Sequence, residues 1–268
     1  IYDYDDSFEL IRDEDAYQAS LNDVNALRKK CFYGTNQCLS GKVTAVVIYM
    51  NDFESSWTDE QMDEFTEKDV EPALAFLEQG AEKYGVELDF ETKILRNAYY
   101  DDEVIIDIDA SGLTTIDVLE QAAESYDFDS QYDIHDWMVQ ECGTEVLFIT
   151  VFNKPGCGYA LNPKPGTDFR AVEHCILFSI DKDYQTEYEP GTNAPVIVST
   201  TLHLFGGESL NKPEGRKVIS QMLYPNDIMR IQPFDIAESD IGEATAYYIG
   251  WTDVVPESVY SQGWNEYE

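Results

Sequence analysis

Residues Lys42–Met50, KVTAVVIYM, are β-branched and almost continuously apolar, a pattern that predicts a strand buried on both faces. The period then changes. Thr58-Asp59-Glu60-Gln61 has the spacing of a capping box, and Met62, Phe65, Val70, Ala73, Leu74, Leu77 and Tyr84 recur at helical intervals behind it. A long helix over Thr58–Tyr84 follows, bent at Pro72 and ended by Gly85. Strict alternation through Val86, Leu88, Phe90, Thr92 and Ile94 predicts a half-exposed strand, Val86–Ile94.

The remaining pattern adds a short strand at Val104–Ile108, an amphipathic helix over Thr114–Phe128 and a buried strand, Glu145–Phe152. Gly156–Leu161 reads as a short glycine-bearing edge segment. Val172–Ile180 is another strand. It leads through Pro190–Pro195 into an apolar helix, Ala194–Phe205, broken by Gly206-Gly207. Upstream of the first strand only one amphipathic helix is visible, Ala16–Lys30, with Leu21, Val24 and Leu27 on one side. Residues 1–41 therefore read as an acidic extension with one helix, and 42–268 as a single domain; 268 residues suffice for one large core.

Charge narrows the function. Lysine and arginine number 17 against 53 aspartates and glutamates, a formal charge of −36. Such a field repels nucleic acid and anionic membrane. It fits a secreted or cell-surface protein. No apolar run reaches the roughly 18 residues of a membrane span. The chain shows no signal peptide, and opens with Ile1.

Five cysteines (Cys31, Cys38, Cys142, Cys157, Cys175) form no C-x-x-C pair, which argues against a cysteine-based zinc site. Cys31 and Cys38 lie close enough to close a short loop in an oxidising compartment, and the others read as buried thiols. Asp107–Gly112 resembles the start of a calcium loop. Val118 stands where the bidentate glutamate belongs, so a strand-to-helix turn is the simpler reading. Gly34…Gly41-Lys42 has six residues between its glycines where a phosphate loop has four.

The stretch that carries chemistry is Val196–Leu210, VIVSTTLHLFGGESL. Positions 199 and 203 are four apart and share one helix face. This stretch resembles the H-E-x-x-H-x-x-G-x-x-H/D helix of the metzincin group of zinc peptidases. His203 and Gly206 are in register with it. Ser199 stands at the first histidine, Thr200 at the general-base glutamate and Ser209 at the third ligand. Pro225-Asn226-Asp227-Ile228-Met229 resembles that family's methionine turn, with Met229 beneath the metal position. Asp235–Gly250 resembles its C-terminal helix, with Ile241, Ala244, Tyr248 and Trp251 facing inward. The resemblance covers residues 42–255. It implies a zincin-like α/β (α+β) fold: a mixed twisted sheet with long helices, a metzincin-type active-site helix and a Met-turn.

The resemblance implies a cleft whose chemistry has been removed. A serine hydroxyl stays protonated and is a poor zinc ligand. One imidazole supplies ~3–5 kcal/mol of a four-ligand site, a dissociation constant around ~1 mM. Thr200 cannot take a proton from water. No catalytic residue and no cofactor are expected, and a peptide or protein partner in the cleft is. An alternative keeps zinc and peptidase activity through a rearranged set, His203 with Glu208 or His174. Another is a structural domain of an extracellular assembly. Serine catalysis by Ser199 or Ser209 with His203 is disfavoured by the absence of an acidic partner at a motif spacing.

Overall fold

The computed structural model describes residues 39–101, 118–162, 171–183, 185–233 and 235–261, together with residues 14, 15, 18, 36 and 264. The expected helix at Ala16–Lys30 (apart from Gln18), the strand at Val104–Ile108, the turn at Asp107–Gly112 and the Cys31–Cys38 pair lie outside them. So does most of the expected extension, residues 1–41.

One mixed five-stranded sheet organises the chain, with helices on both faces. Its strands are β1 (Gly41–Asn51), β2 (Leu88–Tyr99), β3 (Glu145–Gly156), β4 (Tyr159–Leu161) and β5 (His174–Asp181). They run in the order β2-β1-β3-β5-β4. The first four are mutually parallel, and β4 pairs antiparallel with β5 through Ala160 and Cys175. The apolar run of β1 is explained by its position inside the sheet. Val43, Ala45, Val47 and Tyr49 enter one core, while Val46, Ile48 and Met50 enter the other.

On the first face lie α1 (Asp59–Phe65), a π-helical turn (Thr66–Val70) and α2 (Glu71–Lys83). The capping box is present: Thr58 and Gln61 satisfy each other's backbone N–H groups. The long helix is interrupted just ahead of Pro72 by this π-helical turn. Proline has no N–H to give the carbonyl four residues back, and Glu71 N–H reaches Thr66 O, five residues back, instead. A π-bulge re-aims side chains and is common beside functional sites. This one turns Asp69, fully buried, toward the glycine-broken helix.

That helix, α5 (Ala194–Leu204), shares the same core as α2, through Ile197, Val198 and Leu202. The opposite face carries α3 (Val118–Glu124) and α4 (Gln131–Cys142). The sequence pattern missed α4, because only Gln131, Ile134 and Met138 are buried on it. Its caps mark it instead: Ser130 accepts from Asp133 N–H, and Gly143 closes it at φ 65°. Also missed was α6 (Glu214–Leu223).

The expected helix over Asp235–Gly250 is two pieces: a 3-10 turn at Ile236–Glu238, then α7 (Glu243–Tyr248). Between them the chain leaves helical geometry so that Ile228 N–H can reach Asp240 O and Gly242 N–H can reach the Asp227 carboxylate. Ile241, Ala244, Tyr248 and Trp251 are buried as expected. Cys142, Cys157 and Cys175 are free thiols, but only Cys175 is fully buried. Among the described residues no helix is long and apolar enough to cross a membrane.

Candidate functional site

α5 is set at both ends by groups outside it. Asn193 precedes it without capping it by its own side chain. The orphan N–H of Asn193 goes to Asp69 Oδ1 at 2.7 Å, and Tyr188 OH donates to Asp69 Oδ2 at 2.7 Å. A carboxylate at a helix N-terminus is favoured by the dipole as well as by the hydrogen bonds. Burial nonetheless pushes the Asp69 carboxyl above its ordinary value, against the pull of those bonds. At the other end Gly206 takes φ 91°, and Gly207 N–H returns to Leu202 O at 2.7 Å. A β-carbon on Gly207 would stand 2.7 Å from Leu202 O, so only glycine fits there.

Beside α5 opens a cavity of about 460 Å³. Val196, Ser199 and His203 line it from one helix face, with Thr192 just ahead of the helix. Ser209 returns to it after the glycine turn, and Ile228, Met229, Arg230 and Gln232 form the opposite wall. Four of the five motif positions (Ser199, His203, Ser209 and Met229) therefore meet in one place, although 30 residues of sequence separate the first from the last.

His203 is held in one orientation. Its Nδ1 donates to Gly207 O at 2.7 Å, which leaves Nε2 as an acceptor. Burial pushes its pKa below the ordinary histidine value, so the ring is neutral at pH 7. Ser199 spends its hydroxyl proton on Val196 O at 3.1 Å and accepts from Gln232 Nε2 at 2.5 Å. Gln232 thus ties the Met229 segment to the helix face.

Thr200, at the general-base position, does not line the cavity. Its hydroxyl turns back onto Val196 O and Ile197 O at 2.7 and 3.1 Å, beside the Cys175 thiol on β5. The two alternative ligands are also elsewhere. Glu208 faces Arg216 at 3.1 Å. His174 is fully buried on β5, where side chains alternate between faces. Cys175 and Leu177 belong to the α5 core, and Ile176 to the core beneath α3 and α4. His174 shares the side of Ile176, so the sheet lies between it and His203.

Met229 is buried in a turn braced by Asp227. The Asp227 carboxylate accepts Met229 N–H, Gly242 N–H and Thr245 Oγ1 at 2.8–3.0 Å. Burial pushes this carboxyl up to about 6.

The donors present do not fit a zinc ion. The cavity offers one neutral imidazole, one carboxylate (Asp181) and the hydroxyls of Thr192, Ser199 and Ser209, and the Ser199 hydroxyl is already engaged on both sides. Among the described residues no three His, Cys, Asp or Glu side chains are grouped to hold a metal. The sequence singled out none of Asp69, Arg216 and Gln232, and Asp227 only as part of the methionine turn, without its bracing role. Pro72 inside a helix was a signal for a disturbed turn at Asp69; nothing in the pattern points to Gln232.

The fold and the site define a mixed α/β domain with a polar cavity between a glycine-broken helix and a methionine-bearing turn. The chain is similar in structure to metalloproteinase-II from Bacteroides fragilis, at 11% identity and a TM-score of 0.36, over 86% of this chain. It spans 61% of that protein's length. No family model matches the sequence, and no curated protein matches it.

Proposed function

We propose that this is a zincin-like domain that has lost its zinc ligands and general base and binds an extended peptide or protein segment in the cleft beside α5. The observation that carries the proposal is the convergence of Ser199, His203, Ser209 and Met229 on one cavity. Convergence of motif positions from a helix, the turn after it and a distant loop is what a retired zinc cleft leaves behind.

The helix face that lines the cavity, from Val196 to His203, rises ~10 Å, the length of about three extended residues. β4 forms the sheet edge on this side, and among the described residues no strand pairs with its outer edge. An extended chain can add to such an edge. The −36 charge supports a secreted or cell-surface setting for it.

The test is to purify the protein without added zinc and incubate it with a reduced, unfolded polypeptide. Binding without cleavage, and far less than one zinc per chain, is expected. Stoichiometric zinc that survives dialysis and is lost in His203→Ala would overturn the reading in favour of a working metallopeptidase.

A further inference from the structure

The sheet has a second edge, on β2, and its backbone groups sort by alternate residues. In a parallel strand the N–H and C=O of one residue point to the same neighbour, and successive residues point to opposite neighbours. Glu87 O accepts Gly41 N–H, so the odd residues ahead of Asn97 face β1. The even ones face outward. Phe90 N–H goes to Glu78 Oε1 at 2.8 Å, and Arg96 O accepts Tyr126 OH at 2.9 Å. Asn97, at φ 65°, shifts the register, and the next outward group, Tyr99 N–H, goes to Ser125 Oγ at 3.0 Å. Side chains thus close this edge at both ends. Between them Thr92 and Ile94 keep outward N–H and C=O groups with no partner among the described residues.

Exposed edges are ordinarily blunted by shortness, proline or a bulge. β2 is 12 residues long and has no proline, and its register is unbroken from Leu88 to Leu95. Its side chains decide what can join it. Phe90 and Ile94 are half-buried on the α2 face. Glu91 and Lys93 lie on the opposite face, without an ion pair among the described residues. A second copy related by a two-fold axis pairs antiparallel, outward residue against outward residue, so the axis must pass through an even position. Through Phe90 it would set Asp89 against Glu91 of the second copy, a repulsion. Through Ile94 it would set Lys93 against Leu95. Through Thr92 it sets Glu91 against Lys93, and Phe90 against Ile94 on the other face, each twice. Positions 91 and 93 are then non-hydrogen-bonded pairs, where facing side chains come closest.

We propose that the chain forms a two-fold dimer in which β2 pairs antiparallel with β2 of a second copy, centred on Thr92, to make one continuous sheet. Glu78 competes with this assembly, because its carboxylate must leave Phe90 N–H for Ile94 O of the second copy to take its place. β2 and β4 are opposite edges of the sheet, so the dimer leaves the cleft beside α5 open and does not depend on what binds there.

Sedimentation velocity over a range of protein concentrations at physiological salt tests it. A monomer–dimer equilibrium with a dissociation constant of ~1–100 µM is expected from so small an interface. Lys93→Glu and Glu91→Lys each set like charges across the pairing, and each should weaken dimerisation about tenfold. The double exchange, Glu91→Lys with Lys93→Glu, should restore it. Repulsion between two chains of −36 would instead make Glu91→Lys tighten the dimer, since that change lowers the net negative charge. Thr92→Pro removes an outward N–H that β1 does not use, and should leave a folded monomer. A chain still monomeric at ~300 µM overturns the proposal. So does a dimer that persists in folded Thr92→Pro, that ignores the single charge changes, or that the double exchange fails to restore.

Discussion

The Asp69 carboxylate receives the backbone N–H of Asn193 at 2.7 Å across 124 residues of sequence. One residue in a π-turn of the long helix thereby caps the helix that lines the cavity. The arrangement adds a polar link between two elements that share an apolar core. It also explains why α5 needs no capping side chain of its own.

Asp69→Ala should therefore cost more than an ordinary cap. The change leaves the Asn193 N–H and the Tyr188 hydroxyl without their acceptor, and hydrogen bonds to a charged group contribute ~1.5–3 kcal/mol each. A loss of roughly 3 kcal/mol in urea unfolding is expected. A loss below about 1 kcal/mol would mean that water replaces the carboxylate and that the cap is incidental.

Asp227 makes stability depend on pH in a direction opposite to most carboxylates. Its folded-state pKa is raised to about 6, against ~3.9 in an unfolded chain. The folded state thus holds the proton more tightly. The stability from this group is fully present below the unfolded value and is lost as pH rises through 6. Between pH 4 and pH 7 the loss should be about 2 kcal/mol. Other carboxylates titrate in the same range, so the difference between wild type and Asp227→Asn isolates it. Relative to the variant, wild type should lose stability on going from pH 4 to pH 7. A difference that stays flat, or rises with pH, would show that the three donors around the carboxylate outweigh its burial.

Much of the architecture was legible because burial and period coincide. The run of β1 is apolar on both faces because it is interior to the sheet, and α5 is apolar nearly all round because it packs under two elements. The Thr58 capping box and the edge position of Tyr159–Leu161 followed from local chemistry. The misses share a different cause. α4 has few buried side chains, so the hydrophobic period is faint and only Ser130 and Gly143 mark it. The break at Ser239–Gly242 depends on a long-range demand, the pairing of Asp240 and Gly242 with the turn at Asp227. Ser199, His203 and Ser209 could be aligned by spacing alone. That Thr200 faces Cys175 and that Gln232 holds Ser199 are tertiary facts, which no local pattern encodes.

His203 offers a spectroscopic check on the site. Long-range proton–nitrogen correlation at pH 7 should show Nδ1 protonated and Nε2 with the shift of an unprotonated ring nitrogen. Gly207→Ala forces a β-carbon to 2.7 Å from Leu202 O, so the turn must move, at ~1–3 kcal/mol for overpacking. The Nδ1 proton should then lose its carbonyl partner and exchange faster with water. Unchanged exchange in a folded Gly207→Ala variant would mean that the ring is held by its surroundings rather than by Gly207.

Restoring ligands tests whether the cavity is a retired zinc site. Positions 199, 203 and 209 line one space, so Ser199→His with Ser209→Asp places two nitrogens and a carboxylate around it. Gln232 must also be cut back to alanine, because its amide occupies the neighbourhood of residue 199. Each added ligand contributes roughly a third of the ~10–16 kcal/mol of a zinc site, so affinity should rise by several decades over the parent. Thr200→Glu should be left out. At that position a carboxylate would be buried against Cys175 and cost several kcal/mol without reaching the cavity. Calorimetry against a zinc buffer is the readout, since activity also needs outer groups that orient the imidazoles. If the folded triple variant holds zinc no better than the parent, the three positions do not share a coordination point, and the zincin reading of the helix is wrong.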